Sequence, residues 1–378
     1  MINPKLLIIC FDIPFPPSYG GVIPVYYRIK ALHALGVNIT LHCFYKGGRG
    51  NTAPLEELCG KVYYYPRKTT ARQQLSCKPY GVKSRESELL LQHLLEDDAP
   101  VFFEGLVSCG LMSHPALRNR KKYFRECNVE HDYYHALGKA TTSLWKKLYL
   151  HIEAERLRRF EPVIRHAQAI FTLAHQDDLY FRTTYPEVET IYFPCFHGHT
   201  EILPPTETDE PYILYHGNLS VAENEKAALH IMQHIAPAVK VPFVIAGFRP
   251  SAHLQQEADM HSNVRLVASP DEQTMQRLIR NARIHLLITF QATGIKLKLL
   301  NVLFTHAHVI VNPRMIEGTD LQNLCCVGTN DEELIRLCNE YFHIPLDTDE
   351  LAERLKQLNE SYSDSKSAQI IYHTIFEQ

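Results

Sequence analysis

No cysteine pair in this chain is spaced as CxxC, no HExxH motif occurs, and no apolar run approaches the length of a membrane span. The ten cysteines are scattered, with only Cys325 and Cys326 close together, which excludes a spaced thiolate metal site and suits small buried apolar residues in a reducing compartment. Histidine is plentiful at 21, and His197-Gly198-His199 is the tightest cluster. Without a His/carboxylate set at helical spacing beside it, an ordinary loop is expected there rather than a metal centre. No DxD-like pair stands at a strand end to hold a nucleotide-bound divalent ion. The apolar run Leu6 to Phe11 stops at Asp12 and the prolines beyond it, too short for a bilayer span or a signal peptide, so a cytosolic protein is expected. Charge of one sign is also lacking: 39 basic against 42 acidic residues leave a net charge of −3, which argues against general nucleic-acid binding. No fixed-period repeat or low-complexity tract interrupts the chain.

What is present is the composition of a globular protein, 45% hydrophobic and 21% charged, in a chain of 378 residues. That length accommodates roughly two domains. The N-terminal part opens with a buried strand (Leu6–Phe11), a Pro/Gly loop (Asp12–Gly21) and an amphipathic helix around Tyr26–Leu35. Further strands are expected at Val37–Phe44, Val62–Tyr65, Val101–Phe103 and Lys122–Phe124, with helices at about Glu86–Leu95 and Leu144–His166. A polar stretch from Phe196 to Glu210, with Pro204-Pro205 and acidic residues after it, reads as a linker. A second alternation follows. Its strands are expected at Tyr212–Tyr215, Phe243–Ala246, Val264–Val267, Ile284–Ile288 and His308–Val311, with helices near Glu225–Ile235, Ala252–Met260, Asp271–Asn281 and Gly294–His306. The stretch from about Thr348 to Phe376 reads as helical and amphipathic. Strands alternating with helices imply parallel sheets covered on both faces, and in such α/β folds ligands bind outside the carboxyl ends of the strands. Two doubly wound halves would place a crevice between them, with domains at 1–200 and 208–361 and the final helix, about 362–378, returning to the first.

The sharpest local signal is Gln291-Ala-Thr-Gly-Ile-Lys-Leu-Lys-Leu-Leu-Asn301, which follows a strand and opens a helix. A helix start with a glycine presents unpaired backbone N–H groups and a positive dipole end, suited to a diphosphate. Helical spacing places Gly294, Lys298 and Asn301 on one face and Leu297, Leu300 and Phe304 on another. The alternative is an ordinary amphipathic helix with solvated lysines.

This stretch resembles the donor-site segment of GT-B glycosyltransferases of the family 4 type, G-S-G-I-K-x-K-L-L-E-A-L. Further matches stand in the same order as in that family. Asp12–Gly21 resembles its N-terminal glycine loop, and Asn128-Val-Glu-His-Asp-Tyr-Tyr134 its H-N-x-E-x-x-Y-Y segment. His216-Gly217-Asn218 through Asn224 resembles the opening of its second domain, and Ser269–Glu272 the segment before its next helix. The resemblance covers nearly the whole chain. It implies a GT-B fold of two Rossmann-like domains and transfer of a sugar from a UDP- or GDP-sugar, with retention at the anomeric carbon and no metal or separate cofactor. The implied acceptor is a glycan or lipid-linked glycan of a bacterial polysaccharide or glycoconjugate, reached from the cytoplasm with a peripheral contact at the inner membrane.

Departures from the family pattern shape the expected site. Its two glutamates fall on Thr293 and Asn301, its diphosphate-flanking arginine and lysine on Asn218 and Asn224, and Cys127 replaces a histidine before Asn128. An amide at Asn301 can still hydrogen-bond ribose hydroxyls. Lys298, then Lys296, are the cations left to stabilise a departing diphosphate with backbone N–H groups. Gly20 and Gly21 would let the first loop approach phosphate or acceptor, or simply make a tight turn. On the acceptor side, Glu104, Glu130 and His131 follow strands and can accept or relay a proton, or can serve as caps and surface groups. Arg156, Arg158 and Arg159 interleave with Glu155 and Glu161, as on a solvated helix face. Two rivals remain, a sugar-nucleotide epimerase and a non-catalytic nucleotide-sugar-binding protein.

Overall fold

The computed structural model describes residues 3–141, 143–206, 210–290 and 297–377. It divides into two compact units, residues 1–198 with 362–378, and residues 199–361.

The first unit is built on a seven-stranded sheet: β1 (Lys5–Cys10), β2 (Asn38–Tyr45), β3 (Lys61–Pro66), β4 (Val101–Glu104), β5 (Lys122–Arg125), β6 (Ala169–Thr172) and β7 (Glu189–Tyr192). The spatial order is β3-β2-β1-β4-β5-β6-β7, and every pairing is parallel. Leu6 to Cys10 are all buried, as are all of β4, β5 and β6, the pattern of strands covered on both faces. The first crossover helix, Ile23–Ala34, starts with Pro24 in its first turn and stops at Gly36, whose φ of +81° lets the amides of Gly36 and Val37 turn back onto the carbonyls of His33 and Leu32. Its buried face carries Val25, Arg28, Ile29 and Leu32.

The second unit holds six parallel strands in the order β10-β9-β8-β11-β12-β13. They are β8 (Ile213–Gly217), β9 (Phe243–Gly247), β10 (Val264–Ala268), β11 (Ile284–Leu287), β12 (His308–Val311) and β13 (Cys326–Val327). In each sheet the strand order reverses once, between β1 and β4 and between β8 and β11, which marks where a ligand of such a sheet would sit.

Several elements differ from their sequence reading. Strands β6, β7 and β13, of two to four residues, were not expected. Helices Glu130–Ala140 and Asp331–Tyr341 were likewise not expected. The helix expected over Leu144–His166 is α-helical only to Phe160, then tightens to a 3-10 turn at Glu161–His166, where Pro162 lacks the amide needed to continue. The segment expected as helix from Thr348 to Phe376 is two helices, Thr348–Ser361 and Asp364–Phe376, with Ser363 capping the second. The second of these packs against Ile23–Ala34, and Asp364 accepts the amides of His197 (3.0 Å) and Gly198 (2.8 Å).

Candidate functional site

In the first unit, the loops after β1, β4 and β5 lie side by side at the carboxyl edge of the sheet. Glu104 closes β4, but it is wholly buried, paired with Arg28 and lying 3.5 Å from Arg125, both guanidiniums buried as well. An ion cluster sealed this way holds β4 and β5 to the crossover helix and offers no proton acceptor to a substrate. The expectation for Glu104 is corrected accordingly.

The chain leaving β5 makes a different use of its carboxyls. Glu126 accepts the amides of Cys127 (2.6 Å) and Asn128 (3.0 Å) with one oxygen, while burial and the neighbouring Glu130 hold its pKa well above the usual carboxylate range. Glu130, half-buried at the first turn of its helix, is pushed up to about 7 by burial, with the charge of Arg85 opposing and that of Glu161 adding. His131 follows, its Nδ1 3.2 Å from Glu161. The same carboxylate accepts the hydroxyls of Tyr180 (2.6 Å) and Tyr185 (2.8 Å), and its contact raises the His131 pKa. A carboxyl titrating near neutrality beside an oriented histidine can take up and pass on a proton.

Arg85 is a member of this site that the sequence did not reveal. It sits between short helices with no periodic signal, donates Nε to the Phe11 carbonyl (2.8 Å) and Nη1 to the Gly81 carbonyl (2.8 Å), which ties the loop after β1 to the Gly81 turn, and its charge acts on Glu130. In that loop Asp12 accepts the Tyr19 hydroxyl (2.9 Å). Gly20 faces open space on its Cβ side, whereas a side chain at Gly21 would run into the Tyr19 ring. A side chain at 21 therefore requires the exposed Tyr19 ring to move, whereas one at 20 displaces nothing.

In the second unit, Asn224 organises the turn after β8. Its Nδ2 donates to the Asn218 carbonyl (3.0 Å), its Oδ1 accepts from Lys298 Nζ (3.2 Å), and its backbone carbonyl accepts the Tyr215 hydroxyl (3.2 Å). Lys298 also lies 5.0 Å over the Tyr215 ring. Gly217 lies against Asn224, with room for a Cβ only 3.2 Å from its Cγ. His216, buried beside them, is pushed down to about 3 by desolvation, with the Lys298 charge adding, so it stays neutral. Asn301 is half-buried, and its Oδ1 has no hydrogen-bond partner among the described residues.

The helix carrying Lys298 and Asn301, described over Leu297–Leu303, is not the two-faced element expected: Leu297, Leu299, Leu300, Val302 and Leu303 are all buried, and the polar part is reduced to these two half-buried residues. The fold brings Lys298 to Asn224 and His216. Thr293, Gly294 and Lys296 lie outside the described residues.

Two parallel Rossmann-like sheets, each with polar side chains gathered at its carboxyl edge, define a doubly wound α/β protein. The particular fold is GT-B, shared with glycosyltransferases of known structure. Sucrose-phosphate synthase from Thermosynechococcus elongatus superposes with a TM-score of 0.68 at 14% identity, covering 100% of both chains. The Anabaena protein Alr3699/HepE, solved with UDP and glucose, gives 0.65 at 12% identity, again over 100% of both chains. The lipopolysaccharide outer core galactosyltransferase WaaB gives 0.60 at 12% identity over 99% of each chain. In sequence, an uncharacterized 44.6 kDa protein of the cps region of Klebsiella pneumoniae is a distant homologue, 23% identical over 357 residues, 89% of this chain and 88% of that one. No family model matches the chain.

Proposed function

We propose that this protein is a glycosyltransferase that moves a sugar from a UDP- or GDP-sugar to a polysaccharide or glycoconjugate acceptor, with retention and without a metal ion. The observation that carries the reading is Lys298, held by Asn224 next to neutral His216 at the carboxyl end of β8. A cation fixed there can neutralise charge on a departing nucleoside diphosphate, which is where transition-state stabilisation acts. Asn301 supports a ribose subsite, because its Oδ1 can accept from a hydroxyl. The acceptor half is assigned to the first unit, with Glu130 and His131 receiving the proton of the attacking hydroxyl. The cps-region location of the Klebsiella relative supports a bacterial glycan as acceptor.

The test is a thermal-shift screen with UDP, GDP and their sugars, followed by calorimetry and by nucleoside-diphosphate release assayed in EDTA. Lys298→Ala is expected to weaken nucleoside-diphosphate binding about tenfold or more while the protein stays folded, as expected for a lost charge-assisted contact. Unchanged affinity in the folded variant removes Lys298 from the site. Asparagines at 218, 224 and 301 in place of charged groups favour, as a second reading, a protein that binds nucleotide sugar without turnover. Tight binding with no diphosphate release from any acceptor pool would select it.

A further inference from the structure

Helices Glu130–Ala140 and Leu144–Phe160 pack together as a hairpin on the first unit. The second turns Leu150, Ala154 and Leu157 into the protein. Its opposite face is apolar too: Leu144 is 81% exposed and Trp145 83%, and Leu148, Tyr149 and Ile152 continue the exposed row at helical spacing. This is a contiguous stripe rather than scattered surface leucines, and such stripes mark interaction surfaces. Lysines flank it. Lys139, Lys146 and Lys147 are exposed, and no acidic residue occurs between 139 and 152. The arginines further along the helix differ in kind, since Arg156 pairs with Glu153, and Arg158 and Arg159 with Glu155.

We infer that the start of helix Leu144–Phe160 docks on an anionic lipid surface, with the helix lying in the interface rather than crossing it. Among the described residues no helix is long and apolar enough to cross a membrane. Leu144, Leu148 and Ile152 enter the acyl boundary, Trp145 and Tyr149 take the headgroup level, and the lysine stems extend along the apolar stripe while their ammonium groups meet lipid phosphates. Charge decides between this occupant and a second copy of the chain, because a symmetric contact through the stripe would set the lysines of one copy against those of the other. Helix geometry places the stripe between about 14 Å (Ile152) and about 25 Å (Leu144) from the Glu161 end of the same helix, where His131 is held. Docking needs neither donor nor acceptor and stands apart from the glycosyl-transfer reading.

Trp145 is the chain's only tryptophan, so its emission reports on the stripe directly. The full chain is mixed with phosphatidylcholine vesicles with and without phosphatidylglycerol. A blue shift and quenching by brominated lipid are expected with the anionic vesicles and not with phosphatidylcholine alone. Replacing Lys146 and Lys147 together by Gln is expected to weaken partitioning about 25-fold, roughly fivefold per lysine. Leu148→Gln with Ile152→Gln is expected to abolish co-sedimentation with no change in circular dichroism, because both side chains are exposed. Emission unmoved by anionic vesicles, or lysine variants that bind like wild type, would overturn the proposal. A lipid-free shift that grows with protein concentration, with dimers in sedimentation, would give the surface to a second copy instead.

Discussion

Glu104 and Glu130 are both carboxyls near the carboxyl edge of the first sheet, and their surroundings give them different work. Glu104 compensates two buried guanidiniums. Removing it leaves Arg28 and Arg125 uncompensated in the core, a change that costs about 3–5 kcal/mol. Glu104→Ala is therefore expected to lower stability in urea melts by that amount, while the molecules that remain folded turn over like wild type. Glu130, with a folded pKa of about 7, ionises only as the pH rises through neutrality. Transfer that uses it as a base should climb across that range, and Glu130→Gln should reduce turnover at saturating donor by about 10²-fold or more. Stability runs the other way. A carboxyl whose pKa is raised by folding binds more protons folded than unfolded between about pH 4.5 and 7, so wild type loses stability as the pH rises through that window. Relative to wild type, Glu130→Gln is expected to gain up to about 3 kcal/mol between about pH 4 and 8. Parallel pH-rate and pH-melt series test both halves, and a flat difference in stability would remove Glu130 from its buried setting.

At the scale of elements, the terminal helix Asp364–Phe376 is a structural part of the first unit although it follows the second in sequence. Ala368, Ile371 and Ile375 are fully buried, and Asp364 fastens the backbone at His197 and Gly198. Burying an isoleucine contributes about 1.5–3 kcal/mol. Truncation after Ser361 should therefore destabilise the first unit by several kcal/mol and leave the second protected. Hydrogen exchange is expected to rise in helix Ile23–Ala34 and not in β8, β9 or β11. Faster exchange confined to the second unit would contradict this assignment.

Across the whole molecule, the two units respond to acid differently. In the second, burial pushes His216 down to about 3 and His285 well below its ordinary value, while hydrogen-bonded Glu257, Asp271, Glu333 and Glu353 are lowered as well. Every one of these shifts makes the unfolded state bind more protons, so stability is lost as the pH falls, from about 6.5 downward for the histidines. A histidine kept neutral in the core costs about 2 kcal/mol at about pH 5. In the first unit His42 and His197, pushed down to about 3 and 4, and the lowered carboxyls of Glu86, Glu96, Asp97 and Glu155 act in the same direction, but Glu130, Asp177 and Asp364, with pKa values raised to about 7, 6 and 6, and the raised Glu126 and His131 oppose them. The second unit is expected to open first on acidification. Limited proteolysis at about pH 7.5 and 5 should show cleavage appearing within residues 199–361 before the first sheet is cut.

The strand pattern determined most of the architecture, because continuous apolar runs such as Leu6–Cys10 and Ile284–Leu287 are compatible with little besides a covered parallel sheet. Glu130, His131 and Lys298 were legible as candidates, since residue type and position after a strand are written in the chain. Tertiary structure decided what surrounds each of them. Sequence places Glu104 and Glu130 alike at strand ends, and only the fold sets Arg28 against one and Arg85, at a distance along the chain, near the other. It also decided that the helix after β11 is buried nearly all round and that Asn224 holds Lys298. Those outcomes depend on contacts between residues tens to hundreds of positions apart, and burial and electrostatic environment, which set a side chain's chemistry, arise only from such contacts.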